Sequence, residues 1–207
     1  MDNNKKGGRV FVISAPSGSG KTTLCKRLLS DALGLVHSVS VTTRRPRPGE
    51  KDGADYHFVS QKKFKYLIRN KAFLEYEENF GQLYGTPKRY IDAMLKEGRS
   101  VILSIDVKGA MKVRKAFGKK SILIFVLPPS MKVLKKRLEM RKSDGADDIR
   151  RRLAFAKKEI SYKGRYDYTV INDRLDTAHR KIRDIIAKEL TKPGGKNEGY
   201  ADRCSHK

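Results

Sequence analysis

The segment Ala15-Pro16-Ser17-Gly18-Ser19-Gly20-Lys21-Thr22-Thr23 carries the residue types that a phosphate-binding loop requires. Gly18 and Gly20 let the backbone turn with its N–H groups pointing inward. Those donors, with the positive end of a following helix, wrap a nucleotide's phosphates. Lys21 adds a full positive charge beside a transferring phosphate, and the Thr22 hydroxyl is placed to ligate Mg²⁺. Ala15 stands where the pattern G-x-x-x-x-G-K-[ST] begins with glycine, a departure that loosens the match slightly. The plainer reading is a Gly-rich turn without a ligand, and the order of strand, loop and helix around the segment argues against it.

A second cluster follows in Thr42-Thr43-Arg44-Arg45-Pro46-Arg47-Pro48-Gly49-Glu50 and Gly53-Ala54-Asp55-Tyr56-His57-Phe58. Guanidinium forks bind phosphate oxygens in a bidentate way, and Pro46 and Pro48 stiffen the loop so that less entropy is lost on binding. Alone this would read equally well as an exposed basic loop; beside a phosphate-binding loop it suggests a second phosphate site. Asp106 ends a buried apolar run and suits Mg²⁺-linked water, whereas Glu75, taken bare, is a polar residue in a strand-like stretch. Arg137, Arg141 and Arg152 lie in two helical stretches separated by Ser143-Asp144-Gly145-Ala146-Asp147, a plausible flexible tip. Arg-rich helices abound in this chain, so these three are not singled out by residue type alone.

The elements that must position these groups alternate. Arg9 to Ala15, with Val10-Phe11-Val12-Ile13, reads as a buried strand, and Thr22 to Leu33 carries Leu24, Leu28 and Leu29 at helical spacing. Val101 to Ile105, Ile122 to Leu127 and Tyr168 to Ile171 read as further parallel strands. Helical stretches cover Lys88 to Glu97, Val107 to Phe117, Met131 to Met140, Ile149 to Tyr162 and Thr177 to Leu190. This pattern predicts an α/β fold with a doubly wound parallel sheet whose carboxyl edge holds the chemistry. Ser38 to Phe80 breaks the alternation with short apolar runs and turn signals at Pro46, Pro48-Gly49 and Asp52-Gly53, which predicts an inserted β-rich lobe.

The chain has 207 residues, with 47 Lys and Arg against 23 Asp and Glu and a net charge of +24. That balance suggests polyanion partners, but the basic residues are spread over most helices, which favours solvated helix faces over a nucleic-acid groove. Cys25 and Cys204 have no paired or metal-like spacing and suggest a reducing compartment, with Cys25 as ordinary packing. His37, His57, His179 and His206 show no ligand spacing. Met1 to Gly8 has no apolar signal core and no run approaches membrane-spanning length, so a soluble, cytoplasmic protein is expected. The polar stretch from Lys192 to Lys207 is expected to be disordered.

The order A-P-S-G-S-G-K-T-T, then S-V-T-T-R-R-P-R-P-G-E-x-D-G-x-D-Y-x-F, then F-L-E-Y, Y-G-T and I-D-V-K-G-A resembles guanylate kinase, from about Val10 to Leu190. The resemblance implies a P-loop core over 1–37, 88–129 and 161–191, a GMP-binding lobe over 38–87, a helical lid over 130–160 and a tail over 192–207. It implies Mg²⁺-dependent transfer of the γ-phosphoryl group of ATP to GMP, giving ADP and GDP. Residue by residue, it implies that Ser40, Arg44, Arg47, Tyr56 and Tyr84 hold the GMP phosphate and its surroundings. Glu75, Thr86 and Asp106 would read the guanine, whose N1–H and exocyclic amine are adjacent donors that one carboxylate accepts with two oxygens. ATP would lie on Ala15 to Thr23. Arg137, Arg141 and Arg152 would close over it and, with Lys21 and Arg44, stabilise the phosphoryl group in flight, and Asn172 would lie near the adenine. Asp106 fits both a guanine-reading role and Mg²⁺-linked water, and the sequence does not separate them. Ser104 replaces a frequent acidic residue and Lys108 a common Gln, a change toward positive charge that would alter Mg²⁺ affinity or lower the Asp106 pKa. Arg45 is expected to face solvent. An inactive guanylate-kinase-like binding module, a P-loop kinase of a ribose bisphosphate and a nucleic-acid-binding protein are the alternatives.

Overall fold

The computed structural model describes residues 7–140 and 145–192, so Arg141 and most of the residues expected to form a disordered tail lie outside the described residues. In chain order the elements are β1 (Val10–Ser14), α1 (Lys21–Ser30), β2 (Leu35–His37), β3 (Val41–Thr42), β4 (His57–Phe58), α2 (Gln61–Arg69), β5 (Phe73–Asn79) and β6 (Gln82–Pro87). They continue with α3 (Lys88–Lys96), β7 (Ser100–Ser104), α4 (Val107–Phe117), β8 (Ser121–Leu127), α5 (Met131–Glu139), α6 (Ala146–Ile160), β9 (Tyr168–Ile171) and α7 (Leu175–Thr191).

All five residues of β1 are buried, because the strand sits in the middle of a parallel sheet ordered β2-β7-β1-β8-β9. Side chains of successive strand residues point to opposite faces, and helices cover both faces, so Val10 to Ile13 are all apolar. Phe11 and Ile13 pack with Leu24 and Leu28 of α1 and with Ile182 and Ile186 of α7. Val10 and Val12 pack on the other face with Ile91 of α3 and Ala110 and Val113 of α4. Burying each such Leu, Ile or Val side chain contributes roughly 1.5–3 kcal/mol. The sheet is doubly wound as expected, and the loop after β1 opens at its carboxyl edge, between the neighbours β7 and β8.

Between β2 and α3 the chain builds a second sheet ordered β4-β3-β6-β5, in which β3 pairs parallel with β4 while β6 pairs antiparallel with both β3 and β5. The lobe is therefore β-rich, but it also contains α2, started by the Ser60 hydroxyl accepting the Lys63 N–H at 3.2 Å. Lys62, Lys63 and Lys65 hide this helix from a reading based on apolar spacing, since Phe64 is its buried residue. Three other expectations are corrected. Leu35–His37 is an additional edge strand. The helix after the loop stops at Ser30, where Asp31 turns extended with ψ of 150°. The second lid helix begins at Ala146, not Ile149, so Ala146 and Asp147 are helical; Asp147 and Asp148 in its first turn complement the positive end of the helix.

Helices α5 and α6 pack on each other through Leu134, Leu138 and Ala156. Among the described residues no helix is long and apolar enough to cross a membrane, and no group of three or more His, Cys, Asp or Glu is gathered as a metal site. Cys25 is buried in the core, and burial pushes its thiol up to about 11, so it packs as a neutral side chain.

Candidate active site

Gly18 and Gly20 have φ of 92° and 89°, the left-handed region that side chains oppose. Space as well as torsion demands glycine at both. A Cβ on Gly18 would lie 3.0 Å from Leu138 in the lid, and one on Gly20 would lie 2.4 Å from Asn172 Nδ2. Ser19 N–H donates to the Pro16 carbonyl at 3.0 Å, closing the loop on itself. Ala15 and Pro16 are buried, and the exposed Thr22 and Thr23 lie in the first turn of α1 after Lys21. Asn172, at the end of β9, is buried and donates from Nδ2 to the Ser19 carbonyl at 2.8 Å. It clasps the loop from below.

Lys21 Nζ donates to the Ile105 carbonyl at 3.1 Å, so the loop lysine reaches the end of β7 one residue before Asp106. Asp106 caps α4, accepting the Gly109 N–H on Oδ1 at 2.8 Å. Its Oδ2 accepts from Asn79 Nδ2 at the tip of β5. Of the departures, Ser104 is half-buried and Lys108 is exposed.

Glu75 on β5 pairs across the sheet with Thr86 on β6. Both are buried, and the Thr86 hydroxyl donates to Glu75 Oε1. Glu75 Oε2 lies over α4, where a Cβ on Gly109 would sit 2.6 Å from it and 3.4 Å from Asp106 Oδ1. Gly109 is thus the floor on which the two carboxylates converge. A methyl there would displace Glu75.

Burial pushes the Glu75 carboxyl up to about 7; the Thr86 hydrogen bond opposes that shift and the charge of Asp106 adds to it. A second buried carboxylate, Glu159 of α6, also stands near 7 through burial, lowered by Lys21 and by a hydrogen bond from the Ser17 backbone, and raised by Asp106.

In the loop after β3, Arg44 Nη2 pairs with Glu50 Oε1 at 2.8 Å, and its guanidinium lies 5.2 Å from the centre of the Tyr56 ring and 5.7 Å from that of Phe58. The Tyr56 and Tyr84 rings meet edge to face at 6.0 Å. Glu50 Oε2 accepts the Arg47 N–H at 2.7 Å, which folds the proline-stiffened loop back on itself. Arg47 and Arg45 are exposed. The Ser40 carbonyl accepts the His57 N–H at 2.9 Å, tying the loop's two ends together.

On the lid side, Arg137 Nη2 donates to the carbonyls of Asn172 at 3.0 Å and Asp173 at 3.4 Å, while its Nη1 is buried without an acceptor among the described residues. Arg152 Nη1 donates to Ser17 Oγ at 3.2 Å. Arg152 is therefore in direct contact with the phosphate loop, whereas Arg137 is held beside it at the end of β9.

Four residues of this site were not anticipated from the sequence. Gly109 had a signal, a glycine inside a helix, where its cost calls for a packing reason. Asn79, Phe80 and Glu159 had none, since a polar residue at a hairpin end, an aromatic beside it and a Glu among lysines are all ordinary surface patterns.

A glycine loop at the switch point of a doubly wound parallel sheet, with its lysine on the adjacent strand end and Arg152 of α6 against it, defines a P-loop NTPase-type protein. The guanylate kinase family model matches residues 7–189, and the chain belongs to the guanylate kinase family. The guanylate kinase of Wolbachia pipientis wMel is 48% identical over 188 residues, covering 91% of this chain and 94% of its own. That of Nitrosospira multiformis is 46% identical over 185 residues, covering 89% and 88%. The solved guanylate kinase from Anaplasma phagocytophilum matches with a TM-score of 0.78 at 35% identity, covering 90% of this chain and 88% of that one.

Proposed function

We propose that the chain transfers the γ-phosphoryl group of ATP to GMP or dGMP, giving ADP and GDP or dGDP, and that it does so in the cytoplasm, where a free buried thiol such as Cys25 is at home. The observation that carries this reading is the meeting of two half-sites at one strand end: Lys21 reaches the Ile105 carbonyl, and the next residue, Asp106, converges with Glu75 on Gly109. A phosphate loop and a paired-donor reader are thereby joined.

In this reading the backbone of Ala15 to Thr23 and Lys21 hold the ATP phosphates, with Asn172 keeping the loop in shape beside the adenine end. Arg44, Arg47, Tyr56, Tyr84 and Ser40 hold the GMP phosphate. Arg44 exchanges Glu50 for phosphate oxygens, a charge-for-charge substitution that leaves the guanidinium satisfied. Glu75 accepts the guanine N1–H and amine, with Thr86 and Asp106 completing the base site. Arg137 and Arg152, with Arg141, bring cationic donors to the charge that develops on the transferring group; the unpaired Nη1 of Arg137 suits that use. Closure excludes water and holds the GMP phosphate oxygen in line with the γ-phosphorus, where it attacks without a protein base because it is already ionised.

The hydroxyl of Thr22 and the carboxylate of Asp106 are hard oxygen donors, a set that suits Mg²⁺, which takes one or two protein ligands beside phosphates and water. Bound there with ATP, Mg²⁺ supplies charge neutralisation at the phosphates. The intact Gly20-Lys21-Thr22 disfavours a binding module, and a ribose bisphosphate would have no use for the Glu75, Thr86 and Asp106 set.

Arg44→Ala tests the assignment of the GMP phosphate site. A rise of about 30-fold or more in the KM for GMP, with the KM for ATP within about threefold, is expected in a coupled assay of ADP release. Equal effects on both substrates would contradict it.

A further inference from the structure

The turn joining β5 to β6 consists of Phe80 and Gly81, with φ of 52° and 72°, between the paired residues Asn79 and Gln82. Two-residue hairpin turns with positive φ at both positions are the natural place for Asn-Gly, and a bulky side chain at the first position is strained. The residue is also 57% exposed. Neither local backbone preference nor burial accounts for a phenylalanine there.

Its contacts lie across the site, on the lid. The Phe80 ring meets Phe155 of α6 at 5.3 Å between centroids with an interplanar angle of 60°, and the Arg152 guanidinium lies 5.7 Å from its centre. Arg152 in turn donates to Ser17 in the phosphate loop. The residue before the turn, Asn79, donates to Asp106. One hairpin tip therefore touches the carboxylate at the meeting point of the half-sites and the arginine that reaches the phosphate loop. A flat, negatively faced ring beside a guanidinium orients the cation without neutralising it, so its charge stays available to a phosphate. A carboxylate in the same place would compete with the phosphate for it.

We propose that Phe80 is a positioning residue for phosphoryl transfer: it links the GMP-side hairpin to the lid and holds Arg152 over the phosphate loop, so that this arginine is set when the hairpin is in place. The proposal rests on the role given to Arg152 above.

Phe80→Asn tests it, because asparagine suits the turn and removes only the ring. The expected result is a kcat about tenfold lower, a KM for GMP within about twofold of the parent, and a Tm equal to or above it. Phe80→Tyr, which keeps the ring face, is expected to retain kcat within about threefold. Added to Arg152→Ala, Phe80→Asn should cost less than about twofold more, as for two residues acting in one chain of contacts. A Phe80→Asn enzyme with the parent kcat, beside an Arg152→Ala enzyme that has lost it, would overturn the proposal and leave the site assignment standing. A Phe80→Tyr enzyme as impaired as Phe80→Asn would also overturn it. An Arg152→Ala enzyme with full kcat would instead remove the assignment of Arg152, and the proposal with it.

Discussion

Lys21→Ala is expected to lower kcat about a thousandfold, the largest loss of any single substitution in the site. Lys21 begins α1, where the positive end of the helix already favours anions, and its ammonium is held toward the end of β7 by the Ile105 carbonyl. The cation therefore stands between the phosphate loop and Asp106, where charge moves during transfer. The fold does not depend on it. The lost contact is one partly exposed hydrogen bond, worth about 1 kcal/mol, so Tm should fall by only a few degrees. Comparing kcat with thermal unfolding of the same sample separates the two effects; a loss of kcat matched by unfolding would contradict the catalytic role.

Glu75→Gln is expected to cost about a hundredfold in kcat/KM for GMP, because an amide presents one acceptor and a pair of donors to two guanine donors. The parent enzyme should also show a pH dependence that the variant lacks. Guanine's donors bind the ionised carboxylate, while the free site holds it near 7. GMP affinity should therefore weaken as pH falls below about 7. The stability of the free protein runs the other way. The folded-state pKa lies above its ordinary value near 4.5, so the neutral form is retained on folding and stability from this group is lost as pH rises from there through about 7. Urea unfolding of the free protein and GMP binding, each at pH 5.5 and 8, should thus change in opposite directions; Glu75→Gln should flatten the binding change and reduce the stability change, leaving the part that belongs to Glu159.

What could be read from the sequence and what could not follow the same physics. β1, β7 and β8 announce themselves because a parallel strand covered on both faces carries a continuous apolar run, here Val10 to Ile13, Val101 to Leu103 and Ile122 to Leu127. β2 is three residues at the sheet edge, too short to carry a pattern. The phosphate loop was legible because its function lies in local backbone conformation, which Gly18 and Gly20 mark directly. Glu75 and Asp106 gain their meaning from meeting over Gly109, a tertiary fact. Their guanine-reading role was available only through resemblance, although Asp106, ending a buried apolar run, already stood out as a carboxylate suited to Mg²⁺-linked water. Phe80 and Glu159 were legible by neither route, since each acts on a segment far away in the chain, the lid for one and the phosphate loop for the other.

The most direct test of the central claim is ADP formation from Mg²⁺-ATP with GMP, AMP, CMP and UMP supplied separately. The site described here predicts turnover with GMP, at least about a hundredfold slower reaction with each of the other three, and loss of that preference in Glu75→Ala. Equal turnover with AMP, or a GMP preference unchanged in Glu75→Ala, would contradict it.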